Sequence, residues 1–305
     1  MTGRLLPHQT EQRFLVYAGT GTDLIFNRGI DLPGFASFPL VERADTRAVL
    51  VQQMRELIDV AHKAGLGAII DTPTWTANRD RAAAQGYDAE QLVGINRQAV
   101  TMMRDLRDSV HADDVLLALC LGPARDPYNS DDPLGVDAAR RYHRVQIDTV
   151  KDLGIDLVNA YTFNKVDEAA GAVLAAADLN VPVALSLVVE TDGRLDDGTP
   201  VADAIERIDD LTQNAAAYFM INCAHPDHFA DALNGTRRLK GVVANASRCS
   251  HAELDDASSL DDGDPDELGR QIADLTAAFP SLTVLGGCCG TDMRHMTQIA
   301  KRVTA

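Results

Sequence analysis

Residues 155–188 read IDLVNAYTFNKVDEAAGAVLAAADLNVPVALSLV, and their hydrophobic pattern changes twice. Residues 155–160 form a short apolar run of strand length, 166–177 an alanine-rich helical stretch, and 182–188 a second short run. A helix between two buried strands is a parallel crossover, since strands running the same way need a connection of a dozen residues or more. The same alternation spreads in both directions. Upstream, strand-like runs at 14–19, 67–71 and 115–120 alternate with helical stretches at 47–64, 88–110 and 135–153. Downstream, runs at 217–222, 241–245 and 282–285 alternate with helical stretches at 200–214, 226–234, 266–279 and 292–304. Eight βα units over about 290 residues predict a (β/α)8 barrel, one domain spanning residues 1–305. The competing doubly wound sheet lacks its phosphate loop, because Gly19-Thr20-Gly21-Thr22-Asp23-Leu24 has no third glycine.

The 305 residues carry 28 Lys+Arg against 45 Asp+Glu, a formal charge of −17. That balance argues against nucleic acid and anionic membrane as partners, since both call for a dense basic face. The opening MTGRLLPHQTEQ has no apolar signal core, and no apolar run reaches membrane-spanning length. A cytoplasmic protein acting on small molecules is expected, and a homo-oligomer is compatible with this reading. Two connections are long, 19–45 and 246–265, and both leave strand C-terminal ends, where barrel active sites form. The acidic tract 253–267 in the second reads as a solvated or partly disordered loop.

Five cysteines without a signal peptide argue against a disulfide framework. Cys120 and Cys249 read as buried small hydrophobes. Cys223 follows the sixth strand directly, and Gly286-Gly287-Cys288-Cys289-Gly290-Thr291 follows the eighth. Barrel closure puts both tips on one face, and the flanking glycines let the backbone turn two adjacent thiols to one side. Three thiolates prefer Zn²⁺ and leave its fourth position open to substrate. A non-catalytic barrel with a closed structural zinc site is the alternative, and its fourth ligand would be His225 or Cys249. A Schiff-base aldolase is disfavoured because no lysine falls within a strand's later half.

With Asn222-Cys223 and the Gly-Gly-Cys-Cys-Gly-Thr run, the chain resembles the homocysteine S-methyltransferases. Gly19–Leu24, the segment Thr72-Pro73-Thr74-Trp75-Thr76-Ala77-Asn78 and residues 186–195 are similar to that family's further motifs. The resemblance implies a TIM barrel with Zn²⁺ on Cys223, Cys288 and Cys289, and methyl transfer to homocysteine or a related thiol within methionine biosynthesis. Two positions depart from the family pattern. Tyr17 stands where the first motif usually begins with an acid, and Asn159 is matched to a glutamate that receives the acceptor's ammonium. These departures imply an acceptor thiol without a free ammonium. The expected substrate-binding residues are Tyr17, Thr72, Trp75 and Asn159, with no acid or base beyond the metal site. A cationic methyl donor would suit an aromatic surface, for which Trp75, Tyr17, Tyr161 and Phe163 are the candidates.

Overall fold

The computed structural model describes residues 4–128 and 133–304. Eight parallel strands close into a barrel in chain order: β1 (Phe14–Tyr17), β2 (Gly67–Asp71), β3 (Val115–Leu121), β4 (Leu157–Phe163), β5 (Val183–Leu187), β6 (Tyr218–Asn222), β7 (Leu239–Ala244) and β8 (Val284–Gly287). Side chains alternate across each strand. On β3, Leu116, Ala118 and Cys120 pack inside the barrel, while Leu117, Leu119 and Leu121 join the layer under the helices. That two-sided burial explains why the strands read as continuous apolar runs.

The helices that follow the strands are α1 (Ala44–Lys63), α2 (Ala89–Val110), α3 (Val136–Val150), α4 (Val166–Ala177), α5 (Val201–Thr212), α6 (Pro226–Phe229), α7 (Pro265–Ala278) and α8 (Met293–Val303). Asp88 caps α2 and exchanges bonds with Gln91, so the helix starts where a capping box predicts. The sixth is a single turn, not the full helix expected over 226–234; after it the chain makes a tight turn at Asp231–Leu233. No helix among the described residues is long and apolar enough to cross a membrane.

One strand boundary matters for function. β4 begins at Leu157, two residues later than its apolar run, because Asp156 turns its carboxylate onto the Leu117 amide at 2.8 Å and the Arg107 guanidinium at 3.0 Å. It then continues to Phe163, so Asn159 lies within the strand, paired with Cys120 on one side and Ala184 on the other.

The acidic tract differs from its expected form. Residues His251–Asp255 form a short helix capped by Ser250, and the loop beyond it closes over the barrel. Three of its acids meet arginines: Glu267 pairs with Arg248, Asp262 with Arg294 and Asp266 with Arg302.

Candidate active site

Cys223 is the residue after β6 and adopts a left-handed backbone, φ 55°, that swings its thiol toward the barrel axis. Cys288 and Cys289 follow β8 at once. Close approach of β1 demands glycine just before them, because a Cβ on Gly286 would run into the Val16 carbonyl. Gly290, at φ 79°, then turns the chain away. The three sulfurs lie within 4.8 Å of one another, and the Cys223 and Cys289 sulfurs are 3.9 Å apart. Cys223 and Cys288 are joined as a disulfide, contrary to the expectation from the cysteine count, their Cα atoms 5.5 Å apart; reduction frees both sulfurs as metal ligands.

Neighbouring polar groups hold this arrangement. The Asn222 amide faces the Cys288 sulfur at 3.9 Å, and its oxygen accepts from the Thr162 amide at 3.0 Å and the Ser186 hydroxyl at 2.6 Å. The Cys223 carbonyl takes Asn245 at 3.0 Å and His251 Nε2 at 2.7 Å. Among the described residues these cysteines are the only cluster of three or more ligand side chains suited to a metal. Neither expected fourth ligand joins it. His225 caps α6, accepting from the Asp227 amide at 3.2 Å, and burial lowers its pKa to about 4. Cys249 is exposed, contrary to its reading as a core thiol, whereas Cys120 is buried. Burial pushes the Cys289 thiol up to about 11, so a metal cation is the natural means of holding this sulfur as thiolate. A closed structural site takes four protein ligands; this one offers three.

The cluster opens onto a cavity of about 360 Å³ at the C-terminal mouth of the barrel. Both long connections roof it, through Thr20, Phe26 and Phe35 from the first and His251, Leu254 and Leu260 from the second. Tyr17, Thr72 and Trp75 all line the cavity. The Tyr17 hydroxyl donates to the Thr291 carbonyl at 2.9 Å, and Trp75 Nε1 donates to the Tyr161 carbonyl at 3.4 Å. Asn159 does not line the cavity. It is fully buried one layer deeper, and the β4 residues that reach the wall are Tyr161 and Thr162. Phe163 points outward into the layer under the helices, so it leaves the set of candidate donor-binding aromatics. The Trp75 ring is itself covered: the Arg81 guanidinium sits 4.6 Å from its centroid.

Sequence reasoning missed Asp71, Arg81, Tyr128 and His251, all on the cavity wall. Asp71 had a readable signal, a lone acid closing an apolar strand on the face where barrel sites form. The other three lie on connections, where position depends on tertiary packing.

A family model described as homocysteine S-methyltransferase matches residues 19–303. The chain is 26% identical over 265 residues to homocysteine S-methyltransferase of Escherichia coli strain K12, an alignment covering 81% of this chain and 84% of that one. Among solved structures, the chain resembles the homocysteine methyltransferase MmuM of Escherichia coli in its oxidised form, with a TM-score of 0.75 and 21% identity over 97% of this chain and 98% of that one. The metallated form of MmuM gives a TM-score of 0.72 and 22% identity, over 96% and 97% of the two chains. At these identities the structural likeness speaks for the fold.

Proposed function

The chain belongs to the homocysteine S-methyltransferase family, and on that premise we propose that it moves a methyl group from a sulfonium or quaternary ammonium donor to a thiol, with zinc as its metal. The observation that carries this reading is the convergence of three cysteines, and no fourth ligand, at the end of a roofed cavity. Cys223, Cys288 and Cys289 would hold the zinc. Bound zinc supplies the positive charge that keeps a thiol ionised at neutral pH, where a free thiol of pKa about 8.5 is mostly protonated.

The protein's own side chains position the reactants. Tyr17, Thr72 and Trp75 contact substrate from the wall, and Asn159 acts from beneath through the side chains it bonds. The aromatic rings of Tyr17, Tyr128 and Tyr161 suit an onium donor, which lacks hydrogen-bond donors of its own at the reacting centre. The roof excludes water, which would otherwise solvate the thiolate and blunt its attack. The acceptor sulfur forms the new S–C bond as the methyl group's bond to the donor heteroatom breaks, and the electron pair leaves with that heteroatom. No proton moves at the methyl carbon, so no side-chain acid or base is needed there.

Metal analysis after chelation and zinc repletion, together with thioether formation from several thiols and onium donors, tests the proposal. About one zinc per chain and donor-dependent methylation of a thiol are expected. A folded protein that takes up no zinc refutes it.

A further inference from the structure

Asp71 ends β2 with its carboxylate on the cavity wall, and only 8% of the residue is exposed. Each oxygen accepts one bond from a neutral donor: Oδ1 from the Asn159 amide at 2.8 Å, Oδ2 from the Tyr161 hydroxyl at 3.0 Å. A carboxylate has roughly four acceptor sites, so about two remain for a ligand. Among the described residues, the groups acting on this carboxyl are Asn159 and Tyr161, and no cationic side chain is one of them. A buried carboxylate without a cation is costly, and burial raises this one to about 7. The other ionisable groups turned toward it inside the barrel are Cys120 on β3, Tyr161 on β4 and Tyr218 on β6, all pushed upward by burial and therefore neutral.

A continuous set of contacts joins this carboxylate to the sulfur cluster. Tyr161, which holds Asp71, precedes Thr162, whose amide donates to Asn222, and Asn222 faces Cys288. The ligand that satisfies a buried carboxylate with open acceptor sites is a cation carrying N–H donors. A sulfonium or quaternary ammonium centre has none and goes instead to aromatic faces.

We infer that Asp71 receives the ammonium group of the acceptor thiol and makes the enzyme select amino-acid thiols over their deaminated analogues. The inference rests on the methyl-transfer reading above and names the residue that reads the acceptor. The charge that Tyr17 and Asn159 do not provide comes from the second strand. Asn159 is then a positioning residue, holding the carboxylate toward the cavity, and the Tyr161 hydroxyl does the same while its ring stays on the cavity wall.

Calorimetric titration of the zinc-loaded protein with homocysteine and with 4-mercaptobutyrate tests this, since the two thiols differ only in the ammonium. Wild-type protein is expected to bind homocysteine about tenfold tighter or better, and Asp71→Asn to reduce that ratio by roughly tenfold to a hundredfold. A merely structural role for Asp71 would weaken both thiols alike and leave the ratio unchanged, which overturns the inference. Should Asp71→Asn fail to fold, the wild-type ratio decides. It should rise between pH 6 and 8 as the carboxyl ionises, with the thiol's own proton cancelling between the two ligands, and a flat ratio overturns the inference. Binding of neither thiol would overturn the methyl-transfer reading, and this inference with it.

Discussion

Replacing Asp71 by asparagine should make the ligand-free protein more stable at alkaline pH, with a gain that fades toward acid. The folded carboxyl titrates at about 7, raised by burial in spite of its two hydrogen bonds. An unfolded aspartate titrates near 3.9. Between these values the folded state keeps a proton that the unfolded chain releases, so stability falls as pH rises through this window, and the loss is complete above pH 7. A difference of about three pK units at 1.36 kcal/mol each sets an upper limit of about 4 kcal/mol. Half of that, about 2 kcal/mol, is a realistic net gain, because the amide must keep both partners at altered geometry. It can do so: its oxygen accepts from Asn159 as Oδ1 does now, and its nitrogen donates to the Tyr161 oxygen. With an unfolding entropy of about 2.1 cal/mol/K per residue, each kcal/mol shifts the melting temperature of a chain this long by roughly 1.5 °C. Asp71→Asn should therefore raise Tm by about 3 °C at pH 8 and give no gain at pH 5, where the linkage term of about 1.5 kcal/mol no longer exceeds the pH-independent cost of the altered geometry. Differential scanning calorimetry of both proteins at equal metal content gives the comparison. A Tm difference that is the same at both pH values would refute the buried, unpaired carboxylate from which the argument starts.

Substitutions at the cysteines, Asn159 and Arg81 probe the rest of the site. Cys288→Ala and Cys289→Ala should each abolish stoichiometric zinc uptake and methyl transfer while costing the metal-free fold only about 1 kcal/mol; retention of one zinc per chain by either variant would disprove the three-cysteine site. Asn159→Glu should destabilise the protein by about 3 kcal/mol at pH 8, because it sets a second carboxyl against Asp71 at a fully buried position. Homocysteine affinity should not improve, alone or combined with Tyr17→Asp, and a gain in the double variant would show that Asn159 reaches the acceptor after all. Arg81→Gln should uncover the Trp75 face and lower KM for an onium donor roughly threefold to tenfold, read from initial rates at fixed thiol; an unchanged KM would mean that no donor uses that ring.

The barrel was legible because burial on both faces imposes one kind of run on all eight strands, and helix packing imposes another between them. The metal cluster was legible because Cys223, Cys288 and Cys289 are local to two strand tips and flanked by glycines that a close backbone approach requires. Strand ends were less so. Residues 155–156 look like part of β4 until Asp156 is seen spending its carboxylate on β3 and Arg107, and at the other end the strand runs on past residue 160 to Phe163, which moves Asn159 from tip to interior. The acidic tract looked unpartnered for a similar reason: Arg248, Arg294 and Arg302, which pair with it, include two that lie on or beside other elements.

Asp71 shows why absence at a matched position does not mean absence from the site. Closing the barrel brings the tips of β1–β4 and β6–β8 to one cavity, so a carboxylate on β2 can face the same volume as a side chain on β1 or β4. What the acceptor experiences is a charge at a point in that cavity, and the strand that supplies it is immaterial to the Coulomb energy. The supporting polar groups do depend on the strand. On β2 the carboxylate leans on an amide and a phenol from β4, two neutral polar side chains in a barrel interior that also holds Phe14, Val16, Leu116, Met220 and the Tyr218 phenol. Their presence there is itself an argument that this carboxylate is held for a ligand: a buried acid with no function could be replaced, together with both partners, by apolar side chains at little or no loss of stability.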